Sequence, residues 1–452
     1  MKQKTEQIIR NAWICQVSQN SIEPIFADLI IRDQTIAEIH PIDFKKFIRS
    51  ERKIGEHAFD ASGRVITIPL VNFHDHFYSR LAKGLPFTGA MNNFHDILEN
   101  LWWKLDMALA PDLIEACAEM GALESIRQGV TTIFDHHSSP ARTLGSLEII
   151  ANTLKRYELR GVLCFETSDR NGAELAQNAL TEFENFANKN ATNDIKSMLG
   201  LHASFTVSDI TLSKAAELFK KYAPGIHIHL CEAEIDRKIS FEKYGNHPVQ
   251  RLAQHNLLNE KSILSHGVHL QDDDYALISQ AGSAIAYNPD SNLNNAVGLP
   301  QFHKMPEQIP ILVGTDGMHA NVSRSMKQLF LLCRHQQNSF EEAFQWIKKI
   351  YFDQVKFIRH YFPDFSGLLA GDRADFIIWD YMPPTPMLSD NFWGHFIYGM
   401  LEQQVHSVMQ NGKFLMKQRV IEGEDQARIK IYQQGERLLN SVRLKNRKLT
   451  GR

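Results

Sequence analysis

The chain has 452 residues, room for about three average domains or for one large α/β barrel with a small satellite. Hydrophobic residues make up 43% and charged residues 22%, which supports a large core and excludes a disordered polymer. Lys and Arg total 49 against 52 Asp and Glu, a net charge of -3, so composition offers no basic footprint for nucleic acid.

The opening residues, Met1 to Glu6, lack the apolar stretch of a signal peptide, and no apolar run approaches the roughly 18 residues of a membrane span. The expectation is a cytoplasmic protein with a small-molecule substrate and neither nucleic acid nor membrane as partner. Short alternating strands follow at Gln7–Arg10, Trp13–Val17, Ala27–Arg32 and Thr35–Ile39, separated by polar turns at Gln19-Asn20-Ser21 and Arg32-Asp33-Gln34. The same texture returns at Ala374–Asp380, Val405–Met409 and Lys413–Met416. Neither end has enough strands for a sturdy sheet alone, so the economical expectation pairs both ends into one β domain.

The middle has another rhythm. Apolar runs recur at Val65–Phe73, Thr131–Phe134, Gly161–Phe165, Met198–Leu201, Ile226–Leu230, Ser262–Ser265, Ser283–Ala286 and Ile311–Val313, with helical periodicity between them. A capping box at Ser339 and Glu342 opens a further helical stripe from Phe340 to Ile358. Eight strands alternating with helices predict an α/β fold, a (β/α)8 TIM-like barrel with a small composite β-sandwich domain. The boundaries read 1–66 and 369–425 for the β domain, 67–368 for the barrel and 426–452 for a C-terminal helix.

In such a barrel, reactive groups sit at the C-terminal ends of the strands. Those positions read His74-Asp75-His76, His202, His229 with Glu232, His266 and Asp316. Residues two apart along a strand share a face, so His74 and His76 can grip one cation together. Imidazoles with one carboxylate suit zinc or ferrous iron better than magnesium or calcium. A lone HxH is weak, and His227-Ile228-His229 is a second one; His227 reads as a core or supporting residue. His136, His137, His269 and His319 read as packing or substrate-side residues rather than ligands. Weight comes from HxH, His, His and Asp each ending a different strand in order. The five cysteines, with no CxxC among them, form neither a disulfide framework nor a zinc–thiolate site.

The stretch Ile68–His76, with His229-x-x-Glu232, Ser265-His266-Gly267 and Gly314-Thr-Asp-Gly317, resembles the amidohydrolase superfamily in its deaminase and chlorohydrolase branch. Within that branch it resembles the SsnA-type aminohydrolases, through Leu101–Asp106, Asp135-His-His-Ser138, Cys164–Gly172 and Ser291–Asn295. The resemblance implies that His74, His76, His229 and Asp316 ligate one divalent metal, zinc by preference and iron as the alternative. It places His266 beside the metal-bound water and gives Glu232 the substrate's protons. The binuclear branch carries a carboxylated lysine after strand four; here that end reads Leu199-Gly-Leu-His202, so one metal is expected. A homodimer or larger homo-oligomer is a family-level expectation.

Chemistry then points to hydrolysis of a C–N bond. Bound water must lose a proton near neutral pH, Asp316 can accept it, and His266 can stabilise the developing oxyanion. A departing amine needs protonation, and Glu232, three residues past a ligand, is placed to supply it. The expected enzyme is an aminohydrolase acting on a small heterocyclic or amidine-like compound, with His202, Trp103 and Asn292 as substrate contacts. The alternatives are hydrolytic dechlorination at the same type of carbon, or a non-catalytic barrel serving as an assembly partner. The connection from Phe77 to Val130, with Tyr78, Phe87, Phe94, Trp102 and Trp103, could lid the mouth, although packing against the rim explains most such aromatics equally well. Relatives differ at Tyr287, Asp290, Arg324 and Ser325, so charge near the mouth is expected to have changed.

Overall fold

The computed structural model describes residues 6–49, 58–189 and 193–450; the first five residues, read above for a leader, lie outside these. In chain order its strands are β1 (Glu6–Val17), β2 (Ile22–Arg32), β3 (Thr35–Pro41), β4 (Ala58–Asp60), β5 (Val65–Thr67), β6 (Leu70–Asp75), β7 (Val130–His137), β8 (Arg160–Phe165), β9 (Ile195–Ser197), β10 (Leu199–Ala203), β11 (Ile226–Leu230), β12 (Ile263–His266), β13 (Ala284–Tyr287), β14 (Ile311–Val313), β15 (Phe376–Trp379), β16 (Val405–Gln410) and β17 (Lys413–Met416).

The two chain ends meet in one sheet, ordered β17-β16-β15-β5-β1-β2-β3, with β4 also paired to β1. In place of a sandwich of two sheets there is a single hydrogen-bonded one. The reason lies in β1, which sequence reads as two short strands and which runs unbroken for 12 residues. Asn11 adopts a left-handed φ of 56°, and its N–H donates to Asp28 Oδ1 at 2.9 Å. That bulge absorbs the register shift between Ile9 and Ala12 without ending the strand.

The middle strands form two parallel sheets, β6-β7-β8-β9 and β10-β11-β12-β13-β14. The residues of β6, β7, β8, β10, β12, β13 and β14 are all buried, as parallel sheets covered by helices require. The two sheets are bridged at both edges. One parallel bridge joins Asp75 to Asp316, and another joins Thr167 to Leu201. At the second seam His202 N–H donates to Thr167 O at 2.9 Å. The approach is so close that a Cβ on Gly200 would lie 2.2 Å from the Phe165 carbonyl oxygen.

Each expected run becomes a strand, with two differences. Val65–Phe73 divides around Ile68-Pro69, since proline cannot donate to a ladder; its first part, β5, pairs with β1 and β15, and β6 starts a parallel sheet. The short edge strand β9 was not read from sequence. The capping box is formed as expected, with Glu342 N–H donating to Ser339 Oγ at 3.1 Å and Ser339 N–H to Glu342 Oε2 at 2.6 Å. The C-terminal helix runs Glu424–Thr450 and packs on the helix Pro111–Arg127 through the Arg127–Glu424 pair. Among the described residues no helix is long and apolar enough to cross a membrane.

Candidate active site

His74 lies near the end of β6 and His76 directly follows it, His229 lies in β11, and Asp316 follows β14. The seam between β6 and the β14 end draws them together, because Asp316 N–H donates to His74 O at 2.9 Å. His76 Nε2 lies 3.0 Å from Asp316 Oδ1, His74 Nε2 3.7 Å from the same oxygen, and His76 Nε2 3.1 Å from His229 Nε2. Every imidazole has its other nitrogen engaged. His76 Nδ1 donates to His136 O at 2.5 Å, His229 Nδ1 to His202 O at 2.8 Å, and His74 Nδ1 meets His227 Nε2 at 2.9 Å. With Nδ1 carrying the proton, the three Nε2 lone pairs converge on one point.

This donor set fits a cation. His74 Nε2 is buried without a hydrogen-bond partner, and two imidazole lone pairs 3.1 Å apart repel unless a positive centre lies between them. Burial pushes His74 and His229 well below the usual imidazole range, which favours the neutral form that binds metal. Burial also pushes Asp316 upward, but its nearness to His76 outweighs this and holds the carboxyl well below the usual carboxylate range. Ser291 Oγ donates to Asp316 Oδ2 at 2.5 Å and fixes its plane. His227 plays the supporting role expected of it.

His266 and Glu232 stand beside this cluster. His266 Nδ1 contacts Asn292 Oδ1 at 2.9 Å, which turns Nε2 toward the site, 3.5 Å from Glu232 Oε2. That Nε2 is buried and has no hydrogen-bond partner. Burial raises the Glu232 carboxyl to about 6, and Asn295 Nδ2 donates to its Oε1 at 3.3 Å. Cys231, His266 and Asp316 all take left-handed backbone angles, φ 49°, 74° and 54°. Three such non-glycine residues, at or just past the ends of β11, β12 and β14, are a local cost that the surrounding fold sustains, as at active sites.

A cavity opens above these groups. Its walls include Tyr78, Phe94, Leu98, Trp102, Trp103 and Phe205, and its polar lining includes His202, Glu232, Ser291 and Asn295. Of the expected substrate contacts, His202 and Trp103 line it. Asn292 does not: it is buried behind His266 and orients that ring. Phe77 packs into the core against Gly121, and Phe87 lies against the core rather than the cavity.

The altered charges near the mouth turn on each other. Asp290 Oδ2 accepts from Ser325 Oγ at 2.8 Å, and Arg324 Nε lies 2.8 Å from Asp290 Oδ1. Tyr287 is fully buried, with its hydroxyl on Met305 Sδ at 3.2 Å. None of the four lines the cavity.

Sequence reading set His136 aside as a packing or substrate-side residue and passed over Glu166. His136 joins His74, His76 and His229 in one group of closely spaced nitrogens, and its ring stacks on His227 at 4.6 Å with 6° between planes. Glu166, directly after β8, lines the cavity with its side chain 2% exposed and 3.3 Å from His76 Nδ1. Burial raises it to about 7. The strand-end rule that found His202 would have found Glu166, had it been applied after the third run.

Three imidazoles and an aspartate gathered by parallel strands beneath a cavity that holds Glu232 match the donor set of a metal-dependent hydrolase. A family model described as "Amidohydrolase family" matches residues 65–415, and the chain belongs to that family, as a hydrolase acting on carbon–nitrogen bonds. It is similar to the 5-methylthioadenosine/S-adenosylhomocysteine deaminase of Caldanaerobacter subterraneus subsp. tengcongensis, 26% identical over 388 residues, covering 83% of this chain and 86% of that one. The protein of the same name from Thermococcus kodakarensis is 26% identical over 416 residues, covering 90% and 93%. Among solved structures, a zinc-bound adenosine deaminase from Xanthomonas campestris superposes with a TM-score of 0.81 at 18% identity, covering 97% and 98%. A guanine deaminase from C. acetobutylicum superposes with a TM-score of 0.71 at 16% identity, covering 91% and 100%. At these identities the superpositions speak for the fold.

Proposed function

We propose that the protein is a mononuclear aminohydrolase that releases ammonia from a small heterocyclic or amidine-like compound. One divalent cation, zinc by preference and iron as the alternative, would be held by His74, His76, His229 and Asp316. The two bridged parallel sheets read as one (β/α)8 barrel over residues 67–368, with the composite β domain 1–66 and 369–425 and the C-terminal helix 426–452 beside it. Cytoplasmic location belongs to the same proposal, since five free, buried cysteines suit a reducing compartment. A homo-oligomer remains part of it.

The observation that carries the proposal is the meeting of three Nε2 atoms and Asp316 Oδ1 beneath a cavity that also holds Glu232. Bound there, the cation would supply the Lewis acidity that lowers a water's pKa toward ~7. Asp316, oriented by Ser291, is the carboxylate placed to accept a proton from the attacking water. His266, with Nδ1 on Asn292, presents Nε2 to charge developing on the attacked carbon's substituents. Glu232, near 6, can hold a proton and give it to the leaving nitrogen. An amine needs this acid to depart, whereas chloride does not, which favours deamination over dechlorination. The aromatic wall suits a flat ring, so methylthioadenosine-like nucleosides, the named substrates of the relatives, belong in the first screen.

The test is metal analysis of purified protein together with a screen of aminated purines, pyrimidines, triazines and guanidino compounds for ammonia. Stoichiometric metal with ammonia release is expected. Chloride without ammonia from a chlorinated triazine would replace deamination by dechlorination. Metal-free protein with unaltered behaviour after His229→Ala would leave a non-catalytic scaffold.

A further inference from the structure

Resting on the aminohydrolase proposal, we infer that Glu166 and His202 form a two-acceptor edge that selects substrates presenting paired N–H donors, such as an amidine, a guanidine or an amino-substituted ring. Both line the cavity on the β8–β10 side, away from Glu232 and His266, which follow β11 and end β12. Glu166 Oε2 lies 3.9 Å from His202 Nε2, too far for a hydrogen bond between them.

The tautomer of His202 is settled by its neighbour. Thr206 Oγ1 donates its proton to Ala203 O at 3.0 Å and so must accept from His202 Nδ1 at 2.8 Å. The proton therefore sits on Nδ1, and Nε2 offers the cavity a lone pair. Glu166 offers lone pairs as well: it lines the cavity with Oε2 the oxygen nearer His202, while Oε1, buried with no hydrogen-bond partner, faces His76 Nδ1 at 3.3 Å. Arg170 has Nη1 3.8 Å from Oε2, too far for a hydrogen bond and itself without a partner; its Nη2 pairs with Asp106, and its guanidinium lies 5.4 Å from the centre of the Trp103 ring.

Glu166 is not needed to orient His76 either. Although Oε1 lies 3.3 Å from His76 Nδ1, that nitrogen already donates to His136 O at 2.5 Å. A buried carboxylate short of donors is costly until a ligand supplies them. Two adjacent acceptors welcome N–H groups and repel an edge of carbonyl oxygens or unprotonated ring nitrogens, so the pair discriminates by chemistry rather than by size.

The probe is benzamidine, whose ring suits the Trp103 wall and whose amidinium carries paired donors. Its binding to the full-length zinc-loaded protein is measured by calorimetry, with zinc content determined on the same samples. Wild type is expected to bind it, and Glu166→Gln to bind it about tenfold or more weakly with zinc unchanged. Glu232→Gln is expected to weaken binding far less. His202→Phe, which removes the second acceptor, carries the same expectation as Glu166→Gln and serves if that variant does not fold. No binding by wild type, equal binding by Glu166→Gln, or a larger loss in Glu232→Gln overturns the inference. Loss of zinc from Glu166→Gln also overturns it, by making Glu166 a support for His76. Binding requires no turnover, so selective binding without ammonia release from any compound would sink the aminohydrolase proposal and leave the edge standing.

Discussion

The floor and the roof of the cavity are built differently. The floor is bonded: His74, His76 and His229 sit on strand ends, each with Nδ1 tied to a carbonyl or another ring, and Asp316 is tied to Ser291. The roof is packed: the helix Phe94–Ile97, the π-helical turn Leu98–Trp102 and the helix Trp103–Asp106 lay Leu98, Trp102 and Trp103 over the opening. Leu98 clusters with Ala203 and Phe205 in a small satellite apart from the main core. Directional bonds hold atoms to the fraction of an ångström that metal ligation requires, whereas side-chain packing tolerates adjustment to the outline of a ligand. Reaction chemistry should therefore depend on the floor and substrate choice on the rim and roof.

Substitutions test that division. His76→Ala should do the greatest harm, lowering metal affinity by more than the ~10–100-fold typical of an outer-shell partner; an undiminished metal content would remove the floor's role. Next, Glu232→Gln should keep the metal and lower kcat by about 10²–10⁴-fold. In the wild type, kcat/KM should fall on the alkaline side with an apparent pKa near 6, because a Glu232 that has lost its proton has none to give the leaving nitrogen. A flat profile through that region would take Glu232 out of the reaction.

The roof should give smaller, separable effects. Trp103→Ala is expected to raise KM by about 2–10-fold, the range of an aromatic contact, with kcat little changed. If kcat collapses instead, floor and roof do not divide the work. Cys231→Ala should be mildest, since this residue acts through its backbone N–H, which donates to Asp236 Oδ2 at 2.6 Å, and that bond survives the change. A rate within about twofold of wild type is expected, with ~1 kcal/mol lost in stability at most.

Most of the floor could be read from sequence because parallel strands announce themselves as short apolar runs, and the rule of strand ends then selects the next polar residues. His74, His76, His229, His266 and Asp316 all follow from that logic. What escaped depended on local bonding. Asn292 and Asn295 lie three residues apart on or just past the helix Pro289–Asn294, and nothing in their spacing says which one meets His266 and which meets Glu232. Tyr287, Asp290, Arg324 and Ser325 looked like changes to the mouth because a string of letters does not reveal that Asp290 pairs with Arg324 and Ser325. The unbroken β1 hid behind Asn11, whose left-handed backbone is invisible to alternation of polar and apolar residues. Glu166 follows β8 as a lone carboxylate, with no histidine beside it to mark the strand end as a site.

The division of one apolar run between β5 and β6 ties distant parts of the chain together. Thr67 receives the indole proton of Trp379 at 2.9 Å and faces Ile377 across the ladder, and only seven positions separate it from His74, the first imidazole of the proposed ligand set. Truncating the polypeptide between Asp316 and β15 would strip this anchor from the segment that carries His74 and His76. Grip on the ion would then loosen through damage inflicted some three hundred residues downstream, with every donor atom intact.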